Sequence, residues 1–524
     1  MQISHTVNFS TRLADQGRVL EGVVRARADS PGRTVKPLFF TSSSRPLYFL
    51  QLLRLSLTKQ RRRNAMRIKF FGGARTVTGS CFYLSNGDVR VLVECGMHQG
   101  HDADAVNRAA FEFDPSEITC LFLTHSHLDH IGLVPRLVKE GFRGKIITTS
   151  AAADIIELIL YDSAHIQESD AEWYNRKALE TGQQPLVPIY TSKDVDMVLP
   201  LIERKQYNEI EKLCEGIRYR FVDAGHILGS ATLELWYQEG PGEKKIVFSG
   251  DIGKKDNPIV QDPVFVEETD YLTIESTYGN RNHKSMDESI DELVDVIKKT
   301  FKKRGNVIIP SFALGRTQDV LLVLNRLVKQ GRLFRINVYI DSPLAEKITK
   351  VYVDHPEYFD EEARRIFDIN SRDAMRIHFT RSVEDSMALN SLRKEAIIIA
   401  SSGMCEGGRV RHHLRHNLGR RESSIVFVGY QAEGTLGRKI VDGAKHVELF
   451  GDTITVRAGI HTLGGFSAHA DQNELLHWIS CFQNSPEIFI VHGEEKVSLE
   501  FQDLIQKRFS YKTHVPHKGE EFSI

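Results

Sequence analysis

The sequence predicts an α/β protein, and three observations carry the prediction. Short apolar runs alternate with helical patterns over much of the chain, several of those runs end in histidine or aspartate, and 524 residues with 41% hydrophobic content exceed what one core holds. Donors at the carboxyl ends of successive strands line one edge of a sheet, which is where an α/β fold places its site. Two domains and a polar site at a sheet edge are therefore expected.

The densest pattern is LFLTHSHLDH, residues 121–130, in which His125, His127, Asp129 and His130 stand directly behind an apolar run. Ile118 to Leu123 reads as a buried strand. Residues two apart on extended backbone point the same way, so His125 and His127 converge on one metal. Asp129 and His130 follow where the chain turns toward the helix that LVPRLVKE suggests, and there they face a second ion. Imidazole with carboxylate suits zinc, and manganese or iron would also accept the set. One turn cannot complete two coordination shells. Further donors stand in DAGHILGSA (His226), IVFSGDIG (Asp251) and IFIVHGE (His492), each beside a strand-like run.

The ordered motifs THSHLDH, GHILGSA and FSGDIG resemble the metallo-β-lactamase superfamily, whose αββα sandwich carries two metals at one edge. Asp251 and His492 are 241 residues apart, far more than in small-molecule members, so a domain has been inserted between them. LTIESTYGN with Glu275, GGFSAHADQ with His469 and VHGE with His492 look like the extra motifs of the β-CASP branch, the nucleic-acid nucleases of that superfamily. The resemblance covers about Met66 to Ile524. It implies a metallo-β-lactamase domain over 66–279, an inserted parallel α/β β-CASP domain over 280–463 and a return segment over 464–524. It further implies two zinc ions, one held by His125, His127 and His226, the other by Asp129, His130 and His492, with Asp251 bridging. The implied reaction is hydrolysis of single-stranded RNA by a metal-activated water. Asp129, Glu275 and His469 form the implied catalytic set, with Glu275 supporting His469 as the acid that protonates the departing ribose oxygen. Glu94 stands where relatives usually carry Asp, and His461 has no evident role.

Within the insertion, Ser285 to Lys303 places Ile290, Leu293, Val294, Ile297 and Phe301 at helical spacing behind a Ser285-x-x-Glu288 capping box. NVIIP, INVYI, AIIIA and IVFV then read as short strands separated by helices, the pattern of a parallel sheet. A long helix is expected over Ala151 to Leu179. Two loops between strand and helix, 310–318 and 401–413, combine small residues with arginine. Helix N-termini and guanidinium forks bind phosphate, so Arg316, Ser401, Ser402, Gly407, Gly408, Arg409 and Arg411 are expected to contact the nucleic acid. His412 and His416 are four apart on a helix but lack a third ligand, and read as a solvated basic face.

Charge is unevenly spread. Residues 1–65 hold 12 Lys+Arg against 3 Asp+Glu, leaving 56 against 66 in the rest, so the body is acidic and nucleic-acid binding must rest on local basic clusters. No run of eighteen apolar residues is present, so no membrane partner is expected. Six cysteines without Cys-x-x-Cys pairing point to a reducing, cytoplasmic setting. A homodimer is compatible with the sequence. The alternatives to an endoribonuclease are a 5′ exoribonuclease, a DNA-directed nuclease and a silent scaffold of an RNA-processing complex. Intact ligands favour the enzyme, and a small-molecule lactonase or thioesterase would leave the insertion without a purpose. The basic stretch before Met66 reads as a start site assigned too far upstream, ahead of a transit peptide or an RNA-binding arm. A chain beginning at Met66 should therefore be soluble and as active as the full one in a nuclease assay; loss of folding or of most activity would revive a functional arm.

Overall fold

The computed structural model describes residues 65–524 except 88, 101, 359–374 and 393–394, so the basic N-terminal stretch, Ala65 apart, lies outside the described residues. The first sheet holds β1 (Arg67–Gly72), β2 (Cys81–Asn86), β3 (Val89–Val93), β4 (Cys120–Phe122), β5 (Lys145–Thr149) and β6 (Ile202–Lys205) in that order, and β22 (Glu521–Ser523) flanks β1. β1 to β3 are antiparallel, and β3 to β6 run parallel.

The second sheet has the order β21 (Thr513–His514), β20 (Glu487–Val491), β11 (Tyr271–Glu275), β10 (Gly242–Phe248), β9 (Ala231–Glu239), β8 (Ile217–Asp223), β7 (Glu211–Cys214). It too is mixed, parallel from β21 to β10 and antiparallel from β10 to β7. The two sheets share one aromatic core. Phe82 stacks on Phe248 at 6.0 Å, Phe122 meets Phe221 at 6.1 Å, and Phe70 meets Phe489 at 5.4 Å between ring centroids. Such contacts add about 0.5–1.5 kcal/mol each beyond the area they bury.

The third sheet is wholly parallel, as the strand and helix alternation requires. Its order is β14 (Arg376–Phe379), β13 (Asn337–Asp341), β15 (Ile397–Ala400), β12 (Val307–Pro310), β16 (Ser424–Phe427), β19 (Gly459–Thr462). A separate hairpin joins β17 (His446–Leu449) to β18 (Asp452–Thr455). The expected amphipathic helix spans Met286–Lys302, with both hydrogen bonds of the Ser285–Glu288 capping box formed. The long helix spans Ser150–Thr181. The strand expected over 118–123 is shorter at its start, where the Asp114 carboxylate caps a 3₁₀ turn at Pro115–Glu117 and the chain joins β3 only from Thr119, whose amide donates to the Arg90 carbonyl at 2.8 Å.

All six cysteines are free thiols, and no helix among the described residues is long and apolar enough to cross a membrane. Two glycines bring the loops after β8 and β10 together. The Gly253 amide donates to the Ala224 carbonyl at 2.7 Å, and a Cβ on Gly253 would lie 1.8 Å from the Gly225 carbonyl oxygen. No flexible side chain can yield there, so backbone must move. Gly253→Ala should cost about 1–3 kcal/mol, the scale of overpacking, and separate the segments that carry His226 and Asp251. A lowered thermal midpoint together with weaker metal retention on dialysis checks this; an unchanged pair of values would show that the loops are not so coupled.

Candidate metal centre

Every candidate ligand leaves the sandwich at one edge. His125 follows β4, His226 lies in the turn between β8 and β9, Asp251 follows β10, and His492 follows β20. His127 is extended (φ −69°, ψ 146°) and opens the short helix Leu128–Ile131, which carries Asp129 and His130. His492 sits in the left-handed region at φ 48°, held there by its amide donating to the Gly73 carbonyl at 2.7 Å and its carbonyl accepting from the Ser276 amide.

The donors fall into two groups that share Asp251. His125 Nε2 lies 3.2 Å from His127 Nδ1 and 3.3 Å from Asp251 Oδ2. His226 Nε2 lies 3.3 Å from the same His127 nitrogen and 3.5 Å from the same oxygen. On the other side, His130 Nε2 is 3.2 Å from His492 Nε2 and 3.4 Å from Asp251 Oδ1. His492 Nε2 is also 3.4 Å from Asp129 Oδ2. Asp251 therefore turns one oxygen to each group.

This arrangement fits metal ions. Ring nitrogens a little over 3 Å apart would set lone pair against lone pair, and Asp251 Oδ1, though buried, has no hydrogen-bond partner. Burial drives His127 down to about 3 and takes His130 and His226 well below the ordinary imidazole range, leaving them neutral as ligation requires. Burial alone would raise Asp129 and Asp251, but the surrounding histidines hold both below the usual carboxylate range. At His492, Asp251 and Asp129 outweigh burial and raise the ring to about 10. The cluster draws positive charge.

Glu275 and His469 complete the site. The last residue of β11 is Glu275, fully buried, whose Oε1 accepts from the Ile252 amide at 2.6 Å and whose Oε2 lies 3.0 Å from His469 Nδ1. His469 Nδ1 is 4.0 Å from Asp251 Oδ2, so the pair adjoins the ligand cluster. Burial disfavours the imidazolium, but Glu275 and then Asp251 outweigh it and raise His469 above its ordinary value. Its loop is clamped from two directions. Lys254 Nζ donates to the Gly465 carbonyl, and Arg316 Nη1 donates to the Phe466 carbonyl at 2.8 Å.

That contact corrects the expectation for Arg316. Its guanidinium is buried and paired with Asp319, so it serves the His469 loop and presents nothing to a phosphate. The 310–318 loop reaches the cluster instead through Phe312, whose ring centroid is 5.9 Å from that of His127. Arg409 is likewise committed, to the buried Asp341 carboxylate at 2.7 Å and to the carbonyls of Thr380 and Arg381. Ser402 and Gly407 bond within their own turn, the Ser401 hydroxyl donates to Ser342 Oγ at 3.1 Å, and a Cβ on Gly408 would lie 2.5 Å from the Ser401 carbonyl, so these small residues are engaged in the turn and its packing. Arg411 and His412 both lie against the ring of Phe450.

Sequence reasoning missed the hydroxyls that lie against the candidate ligands. Thr124 Oγ1 is 3.1 Å from His125 Nδ1, and Thr277 Oγ1 is 3.1 Å from His492 Nδ1. The Glu94 carboxylate accepts from the Thr124 amide at 3.0 Å and approaches His130 Nδ1 at 3.8 Å; burial pushes it up to about 8. The signal was present, since each hydroxyl adjoins a motif residue in THSH or ESTYG. His461 is half-buried on β19, and burial lowers its ring below the ordinary imidazole range.

Comparison with known proteins agrees with this geometry. Residues 74–195 match the metallo-beta-lactamase superfamily, 317–440 the Beta-Casp domain, and 453–516 the Zn-dependent metallo-hydrolase RNA specificity domain. Ribonuclease TTHA0252 of Thermus thermophilus is 36% identical over 446 residues, which is 84% of this chain and 96% of that protein. The chain belongs to the β-CASP branch of the metallo-β-lactamase superfamily. Transcription termination factor FttA of Methanocaldococcus jannaschii is 33% identical across 86% of this chain and 70% of its own length. An RNase J-like protein of the same organism is 30% identical across 86% and 98%. As a β-CASP protein with its His/Asp cluster intact, the chain is a metal-dependent hydrolase. Orienting groups of this kind typically govern metal affinity by about 10–100-fold. Thr277→Val should weaken metal binding on that scale without unfolding the protein, measured by competition with a chelator; unchanged affinity would reduce Thr277 to a packing residue.

Proposed function

We propose that this β-CASP protein is an endoribonuclease that holds two zinc ions and hydrolyses phosphodiester bonds in single-stranded RNA. The observation that carries the reading is the division of Asp251 between two complete donor groups with the Glu275–His469 pair beside them. One group is His125, His127 and His226, the other Asp129, His130 and His492. Residues 66–279 and 464–524 are read as the metallo-β-lactamase domain, with 280–463 inserted. RNA is favoured because residues 453–516 match an RNA specificity domain and a relative 36% identical is named a ribonuclease. The histidine at position 492 also leans that way, since DNA-directed members of the branch tend to carry valine there.

When bound, the ions let water ionise near neutral pH and offset charge on the phosphoryl oxygens. The chain's own residues do the rest. Glu275 faces His469 Nδ1 at 3.0 Å and so keeps a hydrogen on that nitrogen, which fixes the ring's orientation and leaves Nε2 to deliver a proton to the departing ribose oxygen. The Ile252 amide holds the Glu275 carboxylate in turn, which ties the acid pair to the strand end that carries Asp251.

Two variants separate metal binding from proton transfer. Asp251→Ala should lose both metal and activity by elemental analysis and RNA cleavage, whereas one tightly held ion unchanged in that variant would refute the bridging role. His469→Ala should keep both ions and its RNA affinity yet slow by about 10² or more, the scale of general acid catalysis; wild-type rates on a substrate with a poor leaving group would remove the assignment. Substrate class is tested with RNA and DNA strands of one sequence under matched zinc and salt. Internal cuts in the RNA and slow or absent DNA cleavage are expected, and equal or faster DNA cleavage would overturn the ribonuclease reading.

A further inference from the structure

The acidic body raises the question of what holds an RNA strand next to the scissile bond. Arg316 and Arg409 are committed internally. Arg281, six residues beyond Glu275, is different. Its side chain is exposed and makes no ion pair or side-chain hydrogen bond among the described residues. Its guanidinium carbon lies 4.9 Å from the ring centroid of Tyr278 and 6.0 Å from that of Tyr430.

Both rings are fixed in place. Tyr278 is buried and meets Tyr430 edge to face at 5.5 Å, while the Tyr430 hydroxyl donates to Glu494 Oε1 at 2.5 Å. Glu494 is two residues past His492 and is held in turn by Arg438 Nη1 at 3.2 Å. Tyr278 also adjoins the acid, its ring centroid 6.2 Å from that of His469 and 4.3 Å from that of His283. His283 Nε2 in turn reaches the His469 carbonyl at 3.1 Å. One buried ring thus separates an unpaired surface cation from the residue that protonates the leaving group.

We infer that Arg281, seated on Tyr278 and Tyr430, binds the backbone phosphate next to the scissile one, on the side of the nucleotide that carries the leaving oxygen. The inference rests on the ribonuclease reading. Aromatic rings take the face of a guanidinium and leave its in-plane N–H donors to solvent. Those donors match two oxygens of one phosphate in a fork that lysine cannot reproduce. The rings also hold the side chain before substrate arrives, so less freedom is lost on binding. In an acidic body a phosphate contact near the metals must come from a cation that no carboxylate has already neutralised, and Arg281 meets that condition.

The test compares Arg281→Gln with wild type on a single-stranded RNA, on bis(p-nitrophenyl) phosphate, which has one phosphodiester and no neighbour, and on the same RNA with an uncharged methylphosphonate at the adjacent position. Arg281→Gln should lose about tenfold or more in kcat/KM on the RNA, the scale of one charge-assisted contact, and stay within about twofold on the small ester. On the methylphosphonate strand wild type and variant should converge. Binding of the RNA in chelator, followed by fluorescence anisotropy, should show a salt dependence shallower by about one phosphate contact in the variant. Arg281→Lys should recover the salt slope but not the full rate. Equal losses on RNA and small ester would mean that Arg281 merely staples two tyrosines, and a persisting difference on the methylphosphonate strand would place its contact elsewhere; either result overturns the subsite. Wild-type protein that hydrolyses the small ester but leaves RNA intact would instead overturn the ribonuclease reading, and the subsite with it.

Discussion

The aromatic layer between the two mixed sheets is the constraint on which the site depends. Phe122, Phe248 and Phe489 are all buried in that layer, and each stands three residues before a candidate ligand: His125, Asp251 and His492. Three residues of extended chain span about 10 Å, so once the rings are packed the strand ends can deliver their donors to only a small volume. Phe122 and Phe248 reach it from opposite sheets, so closing the sandwich is what brings donors from distant segments into candidate metal-binding groups. A core substitution at these rings would be felt at the edge, because interiors packed to crystal density transmit displacement.

What the sheets bring together would not stay together unaided. Imidazoles and carboxylates crowd one buried volume, some of their atoms without partners, and burying such groups is unfavourable unless charge and hydrogen bonds are satisfied. The surroundings resist collapse in a particular way. Thr124 and Thr277 take the outward nitrogens of His125 and His492, so the inward nitrogens are left for ligation. Close backbone approach at Gly253 and Gly225 fixes the spacing of the two loops beneath them. Rigidity at this edge is therefore shared between aromatic packing, two hydroxyls and two glycines, and the polar cluster need not supply it.

Much of this was legible in the sequence because the pertinent signals are local. A strand ending in a donor, a capping box ahead of an amphipathic run, and strands alternating with helices are each set by a few neighbouring residues, and the Met286–Lys302 helix and the parallel sheet follow those patterns. Where the fate of a side chain depends on a residue far along the chain, local pattern misleads. Arg316 looked like a phosphate ligand from its loop, yet its partners are Asp319 and the carbonyl of Phe466, 150 residues away. Arg409 looked the same and is claimed by Asp341, 68 residues before it. Neither pairing leaves a trace in composition or spacing.

The same reasoning explains why Arg281 drew no attention. It follows the ESTYGN turn directly, but its surroundings are assembled from Tyr278 in that turn and Tyr430 far downstream, and local pattern does not show the second ring. An arginine count cannot separate cations spent on folding from cations left for a ligand; only the pairing pattern does. In a body with more carboxylates than basic side chains, Arg316, Arg409 and Arg438 are already paired with carboxylates, so cations without such partners carry the electrostatic attraction for an anionic strand. Placing such a cation against aromatic rings holds its position without neutralising it, which an acidic partner could not do. Where the two functions of arginine compete, as at this edge, the aromatic seat is the solution that keeps the charge available.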